Sequence, residues 1–265
     1  MKEFLGIGGY TRPAAGFLSW QHLTFVGSLL AVMVVLAVWI GKRYRHETPE
    51  KKNHVMIAAA LLIDGLEIFK IVVLCIRSQS LEAILFNLPL FLCSIQLIAI
   101  PLAAFSKGRI QEAALDFVCI FGILGAVCGT IGAGQNYNCY PVLGMDNVVS
   151  GLTHSISGFA SLYIMISGMA GMRKCNISLT FAILAVFCIA AYTANVLLPY
   201  NYMFLMAGDG TPYDILYNLV NGSKILYPAM VIGLFLVYIA VFYGVFYLVT
   251  RKNVRAEDKG AACVA

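Results

Sequence analysis

The chain has 265 residues, of which 60% are hydrophobic and only 12% charged, with a mean hydropathy of +0.84. Those values exclude an ordinary water-soluble globule and place the chain among integral membrane proteins. The formal net charge of +5 sits mostly in short connections between apolar segments, so it reads as a topology signal and gives no reason to expect a nucleic-acid partner.

A spanning helix needs about 20 mostly apolar residues. Seven windows meet that requirement, near 22–41, 54–76, 85–105, 113–133, 150–170, 178–199 and 225–249. The N-terminal residues lack the charged region, short apolar core and small-residue cleavage site of a signal peptide, so the first window is expected to remain as a helix. Short connections without a repeating period point to one membrane domain over residues 1–265, with a short cytoplasmic tail from 251. Short cytoplasmic loops retain Lys and Arg. Here Lys42, Arg43, Arg45, Lys51 and Lys52 follow the first window, Lys107 and Arg109 the third, Arg173 and Lys174 the fifth, and Arg251, Lys252, Arg255 and Lys259 the last. The opposite connections hold only Lys2, Arg12, Arg77 and Lys224. An all-α bundle of seven transmembrane helices follows, with its N-terminus outside and its C-terminus inside.

Polar groups inside the windows carry the functional signal, because ionisable residues in lipid are costly and face the bundle interior. His22 lies near the outer end of the first window. In the second, Asp64, Glu67 and Lys70 follow one another at three-residue spacing, which directs them inward together and lets Glu67 pair with Lys70. The third contains LPLFLCSIQLIAIPL, where Pro89 suits the first turn of a helix and Cys93 and Gln96 share a face. His154 lies in SGLTHSISGFASLYIMISG of the fifth, among small residues that let neighbouring helices approach. Asn195 ends the sixth. Helices three and five are read in the same direction, so Cys93 and His154 come to similar depths. A cysteine, a histidine and a polar orienter are the parts of an activated thiol nucleophile.

Five of the eight cysteines, Cys75, Cys93, Cys119, Cys128 and Cys188, fall within predicted spans, which argues against a disulfide framework. No spacing of His and Cys suits a metal, and no nucleotide-binding motif has its strand-to-helix context, so no metal or other cofactor is expected.

LPLFLCSIQLIAIPL around Cys93, His154 in helix five, and NYMFL at Asn201 to Leu205 after Asn195 resemble the YwaF-type integral membrane proteins, relatives of vertebrate transmembrane protein 164. WQHL at Trp20 to Leu23 and Glu67 followed by Lys70 also fit that pattern, and the similarity extends from about Trp20 to Tyr247. It implies a phospholipid acyltransferase of the cell membrane, with Cys93 as nucleophile and His154 as acid and base. Phospholipids and lysophospholipids would be acyl donor and acceptor. Gln96, Asn195 and backbone near Pro89 are the available oxyanion donors; Glu67, Lys70, Asp64 and His22 are supporting or substrate-binding candidates. Two departures from many bacterial members stand out: Phe91 occupies the place of their histidine two residues before the cysteine, and DILYNLVNGSKILYP replaces their Trp/Pro-rich segment. The alternatives are a small-molecule or proton-coupled transporter using Asp64, Glu67, Lys70 and His154, or a lipid-binding member without catalysis. A retinal photoreceptor is disfavoured because the last window has no lysine.

Overall fold

The computed structural model describes residues 1–132 and 134–257. The tail expected from 251 therefore lies outside the described residues from 258 onward, Lys259 and Cys263 included. The structure is 74% helix and, among the described residues, has no strand. Two compact units divide the chain, Met1–Gly171 and a second beginning at Met172.

The first unit contains α1 (Lys2–Leu5), α2 (Trp20–Tyr44), α3 (Pro49–Ser78), α4 (Glu82–Phe86), α5 (Gln96–Phe105), α6 (Gly108–Ile131), α7 (Gly134–Cys139) and α8 (Met145–Ser167). The second contains α9 (Ile177–Leu197), α10 (Asp214–Leu219) and α11 (Leu226–Glu257). Capping sets the long helix starts. Ser19 Oγ accepts the His22 N–H ahead of α2, and Thr48 Oγ1 accepts the Lys51 N–H ahead of α3, whose first residue, Pro49, has no donor to lose.

Five helices among the described residues, α2, α6, α8, α9 and α11, are long and apolar enough to cross a membrane. The chain is a multi-pass membrane protein. Outward side chains such as Val32, Val35 and Trp39 on α2 are exposed, as lipid-facing residues must be. α3 has 30 residues but carries Asp64, Glu67 and Lys70 along its middle.

The third apolar window departs from expectation. Instead of one helix begun by Pro89, it is split into α4, turns over 87–95 and the ten-residue α5, which rises about 15 Å and so covers half of a 30 Å hydrocarbon layer. The backbone explains the break. Pro89 has no N–H to give, the Leu90 N–H turns back to Leu88 O at 2.7 Å, and Ser94 Oγ takes the Phe91 N–H at 3.0 Å. Cys93 thus stands in a turn immediately before a helix.

α8 is the central member of the first unit, packing most extensively on α6 and also on α2 and α3. Glycine and serine make the approach close. A Cβ on Gly122 would lie 2.7 Å from Ser157 O and 2.9 Å from Ser161 Cβ, and one on Gly158 would lie 2.5 Å from Ala126 Cβ. Hydroxyls then stitch the seam, Ser161 Oγ donating to Cys119 O at 2.6 Å and Ser157 Oγ to Gly122 O at 3.3 Å. Without a hydrophobic drive between helices in lipid, such packing and interhelical bonding supply the association.

A polar clasp joins α3, α8 and the N-terminal segment. Arg77 Nη1 donates to Asp146 Oδ2 at 2.7 Å, and the Tyr10 hydroxyl donates to the same oxygen at 2.6 Å. The guanidinium lies 5.3 Å from the Tyr10 ring centre and 5.7 Å from that of Tyr140, within cation–π range. Beside it, Leu5 packs with Val73 and Leu74 of α3 and Met145 and Val149 of α8.

Two outcomes are expected. Gly122→Val should destabilise the protein by about 1–3 kcal/mol through overpacking against backbone that cannot yield, measured by thermal unfolding in detergent. Burial first, then the hydrogen bond to Asp146 and its charge, push the Tyr10 phenol up to about 12. Asp146→Asn removes the carboxylate's share of that shift, so an ultraviolet titration against a Tyr10→Phe background should show Tyr10 ionising at lower pH than in the native chain.

Candidate functional site

The turns over 87–95 place Cys93 against a cavity of about 170 Å³. Ile63, Glu67 and Lys70 line it from α3, Phe86 to Leu88, Phe91, Cys93, Ser94 and Leu97 from the broken segment, and Ser150, Thr153 and His154 from α8. Cys93 is a free thiol. The two residues on which the sequence reading rests, Cys93 and His154, therefore share one cavity.

α6 determines how near they come. A Cβ on Gly125 would lie 3.5 Å from Cys93 Cα and 3.6 Å from Cys93 Cβ, so the turn bearing the thiol rests on that glycine. A Cβ on Gly129 would lie 2.5 Å from His154 Nδ1 and 2.6 Å from Nε2, so the imidazole occupies the space a side chain there would fill. Gly125 and Gly129 are one helical turn apart, about 6 Å along the axis. Both groups are thus referred to neighbouring points on one helix. Among the described residues no hydrogen bond joins thiol and imidazole; in sites without substrate such bonds are commonly long and tighten on binding.

Glu67 and Lys70 form an ion pair, Oε1 to Nζ 2.6 Å, with both side chains largely buried. Asp64 does not join them in the lining. The helix accounts for this: each three-residue step turns the side chain back by about 60°, so Asp64 and Lys70 stand about 120° apart around the axis. Two adjacent members of the series can face one cavity, and the third turns away from it.

The other expected site residues have different surroundings. His22 packs against the rings of Phe17 and Tyr137, at centroid distances of 5.5 and 3.9 Å, and its Nδ1 accepts the Leu18 N–H at 3.0 Å. That is a buried anchor for the start of α2, outside the cavity lining. Asn195, in the second unit, spends its carboxamide locally: Nδ2 donates to Tyr202 O at 2.9 Å and Oδ1 accepts the Tyr202 N–H at 2.7 Å. It closes the loop after α9. Gln96 is wholly buried and absent from the cavity lining, and neither its Oε1 nor its Nε2 has a hydrogen-bond partner.

Phe91 is among the lining residues. Where the resemblance leads one to expect the histidine of many bacterial members, this cavity has an apolar ring. Gly125 and Gly129 are the residues that the sequence reading missed. Their signal was present in FGILGAVCGTIG, where glycines recur every three or four positions along one helix, but nothing in that spacing named the cysteine and histidine they would meet. No group of three or more His, Cys, Asp or Glu among the described residues is arranged to hold a metal.

A sequence model described as TMEM164 family matches residues 17–250. No curated protein and no solved structure matches the chain.

Gly129→Ala is expected to lower stability by about 1–3 kcal/mol, because the added methyl overlaps the imidazole. His154→Ala in the same chain should recover most of that loss. A double-mutant cycle on melting curves reads the coupling; additive effects would mean that the ring does not rest on Gly129.

Proposed function

The chain belongs to the TMEM164 family, and from that premise we propose that it is a phospholipid acyltransferase acting through a Cys93 thioester, with His154 as general acid and base. The observation that carries this reading is the shared cavity, which holds a free thiol and an imidazole together inside a membrane protein. Imidazole takes the thiol proton, sulfur attacks the ester carbonyl of a phospholipid, and a lysolipid leaves with the proton returned from His154. A second lysolipid hydroxyl then resolves the thioester by the reverse sequence.

The cavity's composition supports transfer over hydrolysis. Ile63, Phe86, Leu88, Phe91 and Leu97 supply apolar wall, which suits an acyl chain and disfavours water. Glu67 and Lys70 bring a charge pair whose net charge is zero, so the ammonium can face a phosphate or developing oxyanion without leaving an uncompensated cation when the site is empty. With His154 the imidazole of the lining and Phe91 where many bacterial members have a second histidine, one ring serves both proton transfers.

We place the protein in the cell membrane as seven spans with the N-terminus outside, α3 and the broken α4–α5 segment completing the five apolar helices. The cation distribution supports that orientation. In it, Cys93 lies toward one leaflet's headgroup boundary, the depth of ester carbonyls.

The test is acylation of the purified protein in phospholipid vesicles, followed by mass spectrometry of the Cys93 peptide. The native chain should carry a hydroxylamine-sensitive acyl adduct there, Cys93→Ala should carry none, and His154→Ala should form it about 10²–10⁴-fold more slowly. An adduct that persists in Cys93→Ala rejects the nucleophile. Solute transport by Cys93→Ser at the native rate, without acyl exchange, would instead establish the transporter that Glu67, Lys70 and His154 in one cavity also suit.

A further inference from the structure

A tetrahedral intermediate at Cys93 needs hydrogen-bond donors for the oxygen that gains charge. Most polar side chains are already engaged or stand elsewhere. Tyr202 takes both ends of the Asn195 carboxamide, and Gln96 lies outside the cavity lining. Within the lining, the Ser94 hydroxyl donates to Phe91 O at 3.1 Å, Thr153 Oγ1 to Ser150 O at 2.9 Å and Asn87 Nδ2 to Ala83 O at 2.8 Å, while Lys70 Nζ pairs with Glu67. The Ser150 hydroxyl, the remaining Lys70 hydrogens and the backbone are left.

The backbone is the source that stands at the thiol. In the uninterrupted helix expected over 85–105, the Cys93 N–H would donate to Pro89 O and the Ser94 N–H to Leu90 O. The break cancels both bonds. The Leu90 N–H turns back to Leu88 O, Ser94 Oγ takes the Phe91 N–H, and among the described residues no carbonyl accepts the N–H of Cys93 or of Ser94. Backbone donors without an acceptor call for an explanation. Both residues line the cavity, and both N–H groups are directed at the Cys93 sulfur. Gly125 of α6 backs this turn, a Cβ there falling 3.5 Å from Cys93 Cα, so the two donors rest against a long helix. α5 begins two residues after Ser94, and the positive end of its dipole lies on the same side.

Resting on the acyl-transfer reading above, we infer that the backbone N–H groups of Cys93 and Ser94, freed by the break before α5, are the oxyanion hole of the Cys93 site. The thiol proton passes to His154 as Sγ forms its bond to the ester carbonyl carbon. The carbonyl electron pair moves onto oxygen, which accepts the two N–H groups. When that pair returns, the carbon–oxygen bond to the lysolipid breaks, and the leaving oxygen takes the proton from His154. Negative charge thus moves from sulfur to an oxygen on the neighbouring carbon, and donors already directed at the sulfur meet it there. They strengthen as the charge develops, which is the condition for speeding the step rather than merely tightening substrate binding.

The experiment compares two reactions at the same sulfur in the full chain, produced by cell-free synthesis into phospholipid nanodiscs. p-Nitrophenyl octanoate acylates Cys93 through an oxyanion; iodoacetamide alkylates it by displacing iodide, without one. Mass spectrometry of the Cys93 peptide reads both, and the ratio of the two rates is the measure because each needs the thiolate. Replacing Ser94 by its α-hydroxy acid through nonsense suppression turns one amide into an ester, which deletes that N–H and keeps the side chain. The ratio should fall about 100-fold in this chain, and stay within about threefold of native in Ser94→Ala, which keeps the N–H and loses only the hydroxyl. The corresponding ester at Leu92, outside the lining, should also leave it near native. An ester at Cys93 removes the other donor and carries the same expected fall, so the inference does not depend on one variant folding. A ratio near native in both site esters overturns the inference, as does an equal fall in Ser94→Ala or the Leu92 ester, or a larger fall in Ser150→Ala or Lys70→Met than in either site ester. Those results leave Cys93 as nucleophile. Absence of an octanoyl adduct on Cys93 of the native chain overturns the acyl-transfer reading and this inference with it.

Discussion

The close approach of α6 to α8 is the constraint from which the site follows. Two helices meet where Gly122, Gly125 and Gly129 face serines and His154 and where Ala126 faces Gly158, and the absence of side chains at those α6 glycines is what admits the partner's atoms. In lipid this seam cannot draw on expulsion of water, so it depends on dispersion contacts and on the serine hydroxyls that reach across to backbone carbonyls. The same helix bears on the turn around Cys93. One glycine-lined face thus sets the position of an imidazole on α8 and of a thiol on a different segment.

A break in regular structure exposes that thiol. Had 85–105 been one apolar helix, Cys93 would have been a small side chain in a continuous stack of carbons, where cysteine behaves as a hydrophobe. Pro89 and the Ser94 hydroxyl divert the backbone bonds instead, and the chain forms turns that present Cys93 to a cavity. Irregular backbone at membrane depth is tolerated where it is buried in protein or lines a cavity. The turns over 87–95 are half-buried or buried and line such a cavity, with the Glu67–Lys70 pair completing the polar part of its wall.

The second unit has its own internal logic. Asn195 closes the loop after α9 onto Tyr202, and Asn201 accepts the Met206 N–H while donating to Ala207 O and Asp209. Polar residues in that loop hold the loop itself together. Thr180 and Tyr243 share a hydrogen bond at 3.2 Å between α9 and α11, an interhelical contact of the kind lipid-embedded helices use.

What could be read directly from the residues was governed by solvent and by local spacing. Sustained apolar windows require helices, because backbone groups in lipid must be satisfied within the segment, and the all-helical membrane fold follows from that alone. The Glu67–Lys70 pair was legible for the same reason, being a contact within one helix. Asp64 was placed with them too readily, since six residues carry a side chain a third of the way around the axis. Asn195 and His22 looked like site residues because a polar group near a membrane surface is equally suited to a ligand and to a neighbouring backbone. Only the folded chain decides between these, by bringing Tyr202 to the one and Phe17, Leu18 and Tyr137 to the other. Tertiary structure alone could bring Cys93 and His154 to one cavity over α6, because residues 61 positions apart meet through the shape of a third segment and no periodicity along the chain records that shape.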